Sequence, residues 1–230
     1  MNNRPIVAVF DGGIGAGKTS LISLVAEDLR ARGLRVCVIP EPVDDWIAVG
    51  ILQKFYDEPE KYCYPFQTYT VVTRIAKIIE KYEADPSADV YIMERSPETD
   101  RYIFVEILRE LMGEMHMEMY ARWWEMWRRL VPFEITRRVF LNPAVDKCMS
   151  RVEKRHRVGE TSRVAEDRQD LGKGGVAREY QDKLKVTHED YYARTGDALV
   201  LDGHLADDDF TKPGEAQAAV LDKIRGYFGC

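Results

Sequence analysis

Two rhythms of apolar and polar positions alternate along the 230 residues. Short, mostly β-favouring apolar runs bounded by turn residues occur at Ile6 to Phe10, Arg35 to Ile39, Val90 to Met93, Arg138 to Leu141 and Ala198 to Leu201, and they predict five buried strands. Between them, helical periodicity covers 18–32, 44–55, 66–83, 98–130 with a break near Gly113, 143–155, 177–194 and 213–227. Strand and helix take turns, which predicts an α/β fold of three layers, a five-stranded parallel sheet flanked by helices.

The stretch 158–175, VGETSRVAEDRQDLGKGG, breaks this alternation with four glycines, charges of both signs and almost no apolar period. It reads either as a mobile lid, spanning about 151–175, or as plain disorder, and not as a linker between domains. The chain is therefore expected to form a single domain over 1–230, a length within the range of one large α/β unit. The Asp207-Asp208-Asp209 run reads as a solvated turn.

Charge and cysteine content narrow the classes. With 33 basic and 39 acidic residues the net charge is −6, which argues against binding polymeric nucleic acid through a general basic surface. Cys37, Cys63, Cys148 and Cys230 have neither zinc-ligand nor disulfide-framework spacing and are read as reduced thiols. There is no signal-type segment and no apolar run of membrane-spanning length, so a soluble, intracellular, cytoplasmic protein without membrane association is expected.

The most specific local motif is Gly12-Gly13-Ile14-Gly15-Ala16-Gly17-Lys18-Thr19, which fits GxxxxGK[ST] directly after the IVAVF strand and before the TSLISLVAEDLR helix. Glycines there let backbone N–H groups converge on phosphate oxygens, and the helix N-terminus adds partial positive charge. Lys18 reaches the β- and γ-phosphates and Thr19 places a hydroxyl on Mg2+. The pattern predicts a P-loop NTPase fold that binds ATP. A GTPase would need a guanine-reading NKxD, which is missing, and a motor-type ATPase needs a metal-binding Asp after an apolar strand, where this chain reads VYIMERS.

That third strand delivers Glu94 and Arg95 to the C-terminal edge of the sheet, and the second delivers Glu41 to the same edge, where ligands of open α/β folds bind. A carboxylate to take a hydroxyl proton, beside cations for the phosphoryl group in flight, is the set a hydroxyl kinase needs. Each residue taken singly could equally be half of a surface ion pair.

The order and spacing of Glu41-Pro42-Val43, Trp46, Tyr56, Phe66-Gln67-Thr68-Tyr69, Arg74, Glu94-Arg95-Ser96 and Asp100-Arg101-Tyr102 resemble the deoxyribonucleoside kinase family over nearly the whole chain. Lys154-Arg155-His156-Arg157-Val158-Gly159-Glu160 is similar to the lid of its herpesvirus thymidine kinase relatives. The resemblance implies a kinase that moves the γ-phosphate of ATP to the 5′-hydroxyl of a deoxyribonucleoside in nucleotide salvage. It implies Glu41 as the general base, Arg95 on the phosphates, and Glu94 with Thr19 at Mg2+, partly through water. Arg155 and Arg157 would act as lid arginines and Arg151 would lie against the adenine. Gln67 would pair with the base between Trp46 and Phe66, while Tyr56 and Glu160 would hold the sugar 3′-hydroxyl. His156 reads as a spacer between the lid arginines.

Arg74 lies two helical turns after Gln67, so the two share a helix face. In the family, an Arg with an Asp at the positions of Arg74 and Asp100 is typical of kinases for deoxycytidine and purine deoxynucleosides, which predicts dC, dA or dG over dT. Thr70, Val71 and Phe104 are expected to shape the same pocket. The lid departs from the cellular pattern, for Lys173 stands where those members offer an acid. YARWWEMWRRL at 120–130 is rich in aromatics, Met and Arg, and the resemblance implies a homodimer through such helices. The rival readings are a thymidylate-type nucleoside monophosphate kinase, a kinase of another small hydroxyl compound, and a protein that holds ATP without turnover.

Overall fold

The computed structural model describes residues 4–155, 157 and 175–230. Its centre is one five-stranded sheet made of β1 (Ile6–Asp11), β2 (Val36–Ile39), β3 (Val90–Glu94), β4 (Arg137–Asn142) and β5 (Ala198–Asp202), in the order β2-β3-β1-β4-β5, with every pairing parallel. The expected parallel α/β sheet is present.

Alternation along β1 shows how the layers form. Ala8 and Phe10 point to one face and pack with Leu21, Val25 and Leu29 of α1 (Lys18–Ala31) and with Ile224 and Phe228 of α11 (Glu215–Phe228). Val7 and Val9 point to the other and meet Ile78 of α4 (Pro59–Ala84). That second face also carries α2 (Val43–Val49), α3 (Ile51–Asp57), α7 (Arg109–Trp127), α8 (Val145–Arg155) and α9 (Arg178–Thr195), whose apolar residues join one large cluster. The short α5 (Pro97–Thr99), α6 (Val105–Ile107) and α10 (His204–Asp207) complete the chain.

Several boundaries differ from the sequence expectation. The segment 44–55 is two helices, because Gly50 takes φ +78°, which closes α2 and opens α3. α4 starts seven residues before 66: Pro59 occupies its first turn, and Pro65 lies inside it without ending it. The stretch 98–130 is more broken than one kink. A π-helical segment Asp100–Phe104 separates α5 from α6, and Gly113 inside α7 has φ +67° and ψ 168°. β5 is an edge strand with Val200 exposed, so it departs from the expected burial, whereas β1 to β4 contain only buried and partly buried residues. The Asp207 carboxylate accepts the Ala144 N–H at 2.8 Å, so the acidic run is not wholly solvated. All four cysteines are free, and no described helix is long and apolar enough to cross a membrane.

Candidate active site

The C-terminal ends of β1, β2 and β3 open onto a partly open cleft. At its floor, the P-loop follows β1 and turns into α1. Gly12 has φ +144°, and a Cβ there would sit 2.3 Å from the Leu141 carbonyl oxygen; Gly15 has φ +79°, and its Cβ would sit 2.5 Å from the Cys148 carbonyl. Both positions require glycine on steric and torsional grounds. Lys18 lies over the loop, donating to the carbonyls of Gly13 at 2.9 Å and Gly12 at 3.3 Å. Burial, reinforced by Arg95, lowers its pKa to about 8 against the opposing pull of Glu94, Glu41 and Asp11. Arg151 donates from Nη1 to the Ala16 carbonyl at 2.8 Å and so braces Ala16 and Gly17 from outside the cleft.

Thr19 donates its hydroxyl to Glu94, 2.9 Å from Oε2 and 3.1 Å from Oε1. One hydroxyl and one carboxylate at this spacing are hard oxygen ligands that suit Mg2+, which takes few protein ligands and completes its shell with phosphate and water. Among the described residues there is no cluster of three or more His, Cys, Asp or Glu that could hold a metal ion.

β3 ends where Arg95 adopts φ +65°, the one positive value among described non-glycine residues. Such backbone costs on the order of 1–3 kcal/mol and persists where its surroundings hold it. Here the Arg95 N–H donates to the Phe10 carbonyl at 3.0 Å, and Ser96 with Thr99 forms a capping box immediately beyond. The turn swings the guanidinium inward over the Phe104 ring, 4.4 Å from its centroid. Arg95 Nε lies 3.2 Å from Glu41 Oε1 and Nη1 lies 3.8 Å from Asp11 Oδ1, yet neither is aligned for a hydrogen bond, so two buried N–H groups lack acceptors.

Arg74, 3% exposed, binds Asp100 with both arms of its fork, Nε to Oδ2 at 2.7 Å and Nη2 to Oδ1 at 3.0 Å. Nη2 also donates to Glu41 Oε1 at 3.0 Å, and Nη1 to the Glu94 carbonyl at 3.0 Å. Burial would raise Glu41, but Arg95, Arg74 and Lys18 outweigh it and bring its pKa to about 2. Asp100 goes the other way. Burial, with repulsion from Glu41, pushes it up to about 6 in spite of Arg74.

The remaining walls are apolar. Phe66 stacks on Phe55 at 4.8 Å and meets Trp46 edge to face at 5.5 Å, while the Trp46 indole N–H is fixed on Thr73 at 2.9 Å. Gln67, 2% exposed, lines the cleft with its Oε1 buried and without a hydrogen-bond partner, an acceptor left open among aromatic walls. Tyr56, Thr70, Phe104, Arg155 and Arg157 line the same cleft.

The structure thus brings Ile14, Gly15, Lys18, Glu41, Trp46, Tyr56, Phe66, Gln67, Arg74, Glu94, Arg95, Asp100, Phe104, Arg155 and Arg157 around one cavity. Gly12, Gly13, Ala16, Gly17 and Thr19 complete the loop beneath it. Val71 does not line it, being wholly buried in the apolar cluster. Glu160, His156 and Lys173 lie outside the described residues. Sequence reasoning missed Phe55, Leu52 and Tyr180, which also line the cleft, as well as Asp11 and His188 behind it. Of these, Asp11 alone carried a signal, as an acid ending an apolar strand beside the P-loop.

A parallel sheet with a P-loop on its central strand, a cationic cradle and a carboxylate facing an aromatic-walled cleft define a P-loop phosphotransferase. The family model "Deoxynucleoside kinase" matches residues 8–228. The chain belongs to the deoxynucleoside kinase family and is an ATP-dependent nucleoside kinase. It is 26% identical over 254 residues to deoxycytidine kinase 2 of Gallus gallus, covering 95% of this chain and 88% of that one. It is 26% identical over 210 residues to deoxycytidine kinase of Homo sapiens, covering 79% and 73%. It is 26% identical over 212 residues to the mitochondrial deoxyguanosine kinase of Xenopus laevis, covering 80% and 72%. Family membership favours a nucleoside kinase over the monophosphate-kinase, other-hydroxyl and non-catalytic readings.

Proposed function

We propose that this kinase transfers the γ-phosphate of ATP to the 5′-hydroxyl of a deoxyribonucleoside, with dC, dA or dG preferred over dT, and so serves nucleotide salvage. The observation that carries the base preference is the Arg74–Asp100 pair on the same wall as the unpartnered Gln67 carbonyl oxygen. An amide presents an acceptor and a donor to a base edge, and a fixed arginine beside it, with one Nη1 N–H left over from its contacts, supplies a further donor that suits a ring acceptor of cytosine or a purine. The relatives, deoxycytidine and deoxyguanosine kinases, agree with that choice.

Trp46, Phe66 and Phe104 enclose the base, and Tyr56 holds the sugar, with Glu160 as its expected companion. Glu41 accepts the 5′-hydroxyl proton. The unsatisfied N–H groups of Arg95, together with Lys18, Arg155 and Arg157, take the charge of the phosphoryl group, and Arg151 contacts the adenine side of ATP. Mg2+, held at Thr19 and Glu94, would neutralise phosphate charge. Side chains exposed along one stripe of α7, Met115, Met119, Trp123 and Met126, continue to Leu130 and support a homodimer packed through this helix. Sedimentation as a monomer at micromolar concentration would remove that part.

The test is phosphorylation by ATP of dC, dA, dG, dT and thymidylate, with wild type and Glu41→Gln side by side. Monophosphate from dC or a purine deoxynucleoside, lost in the variant, supports the assignment. Product from dT alone, or an unchanged preference in Arg74→Met with Asp100→Ala, overturns the base prediction.

A further inference from the structure

We infer that Gln181 is a positioning residue for ATP: it sets the P-loop from the far side of the chain by gripping both backbone polar groups of one residue, Ile14. Gln181 lies on α9, 2% exposed, 167 residues from its partner. Its Oε1 accepts the Ile14 N–H at 3.2 Å and its Nε2 donates to the Ile14 carbonyl. A primary amide can satisfy a buried N–H and a buried C=O of the same residue together, because it carries an acceptor and donors in one plane.

The residue gripped is central to the site. Ile14 lies mid-loop between Gly13, whose carbonyl holds Lys18 at 2.9 Å, and Gly15, and its side chain lines the nucleoside cleft. One residue therefore joins the phosphate cradle to the acceptor pocket, and the two peptides that flank it are held by Gln181. A Cβ added at Gly13 would come 3.3 Å from Gln181 Oε1, so the amide also fills the space behind the loop.

The same helix face makes a second attachment one residue before the loop. Gln181, Leu184, His188 and Tyr192 form one buried stripe at spacings of three and four. Tyr192 donates to Asp11 Oδ2 at 2.9 Å, and Thr99 donates to the same oxygen at 2.6 Å. His188 faces the Leu184 carbonyl with Nδ1 at 2.6 Å and Asp11 Oδ1 with Nε2 at 3.2 Å. Burial opposes charge on Asp11, but His188, then Arg95 and Thr99, outweigh burial and hold its carboxyl below the usual range. Asp11 is thereby a fixed anion at the end of β1, and α9 holds the strand end and the loop at two points.

The effect of Gln181 passes through Ile14 to the phosphates, so it is read in the ATP parameters. In Gln181→Leu, which removes both hydrogen bonds, KM for ATP and kcat are expected to worsen together, with kcat/KM for ATP falling roughly 10- to 100-fold and the nucleoside KM moving much less. Leu184→Ala is the comparator, for Leu184 is fully buried on the same stripe and its side chain has no polar atom with which to hold the loop backbone. It should lower the melting temperature at least as much and leave KM for ATP within about twofold. Should Gln181→Leu fail to fold, Gln181→Glu, which keeps an oxygen toward the Ile14 N–H and loses the N–H toward its carbonyl, is expected to show the same split. An unchanged KM for ATP in the folded Gln181 variant, or an equal change in Leu184→Ala, overturns the inference. Either outcome is independent of which base the enzyme prefers.

Discussion

Removing Arg74 alone should damage the protein more than removing the carboxylate it binds, and the asymmetry follows from the contacts. Asp100 is 1% exposed, and both of its oxygens are held by Arg74. Arg74→Met takes away both hydrogen bonds and the countercharge, and breaking a buried pair in this way costs about 3–5 kcal/mol. For a chain of this length each kcal/mol lowers Tm by about 2–4 °C, so a drop of about 6–20 °C is expected. Asp100→Asn leaves Arg74 with Glu41 at 3.0 Å and the Glu94 carbonyl at 3.0 Å. Its loss should stay at about 1–3 kcal/mol, that of a weakened charged hydrogen bond. The double variant should recover about 1–3 kcal/mol relative to the sum of the singles. Proton uptake limits the deficit. Asp100 already has its pKa raised from 3.8 to about 6, and a carboxyl raised on folding contributes stability that is present at low pH and lost as pH rises through the folded value. Loss of Arg74 raises it further, so the deficit of Arg74→Met should be small near pH 5 and full by pH 8. Urea or thermal unfolding of the three variants at both pH values measures this. A single-variant loss under about 1 kcal/mol at pH 8, or additivity within about 0.5 kcal/mol, would refute the buried pair.

Three further outcomes are expected. Glu41→Gln should lower kcat by about 10^2–10^4 while ATP still binds, as read by a fluorescent ATP analogue, and retained turnover would end its role as base. Because Lys18 has its pKa lowered to about 8, it loses charge as pH rises, so kcat/KM for ATP should fall above that pH while kcat at saturating ATP holds further up; a flat profile to about pH 9.5 contradicts this. Gly15→Ala meets both a φ of +79° and a carbonyl 2.5 Å from its Cβ, so ATP binding should be lost even where the fold survives, as compared by circular dichroism and nucleotide binding.

What was legible in the chain was whatever a local pattern encodes. β1 to β4 announce themselves because fully buried parallel strands are unbroken apolar runs, and the P-loop because its chemistry needs glycines and Lys18 at fixed offsets. Arg74 and Gln67 could be placed together because seven residues of helix return a side chain to the same face. The start of α4 was hidden by Pro59 and Pro65, which read as breakers although the first suits a first turn. Gln181, His188 and Tyr192 were illegible for another reason. On α9 they look like a solvated polar face, and their partners Ile14 and Asp11 lie 167 to 181 residues away, a distance no periodicity spans. The turn at Arg95 was equally silent, since its positive φ belongs to the neighbouring strand and cap and not to the residue.

The charge arrangement also constrains how the proposed base could work. A carboxylate held near pKa 2 by Arg95, Arg74 and Lys18 is a weak base toward an alcohol, so proton abstraction cannot precede phosphoryl transfer by much. Phosphate oxygens arriving in the cleft would take up the open N–H groups of Arg95 and share the charge of Lys18, and each cation drawn toward phosphate relaxes its hold on Glu41. Arg74 stays tied to Asp100 throughout, which keeps Glu41 oriented while its basicity rises. The base would thus strengthen only when the donor is in place, and a loose transition state, in which the hydroxyl becomes acidic as the new bond forms, asks no more of it. On this account the Arg95–Glu41 contact, 3.2 Å and unaligned, matters for being easily given up, whereas the aligned Arg74–Glu41 bond matters for persisting.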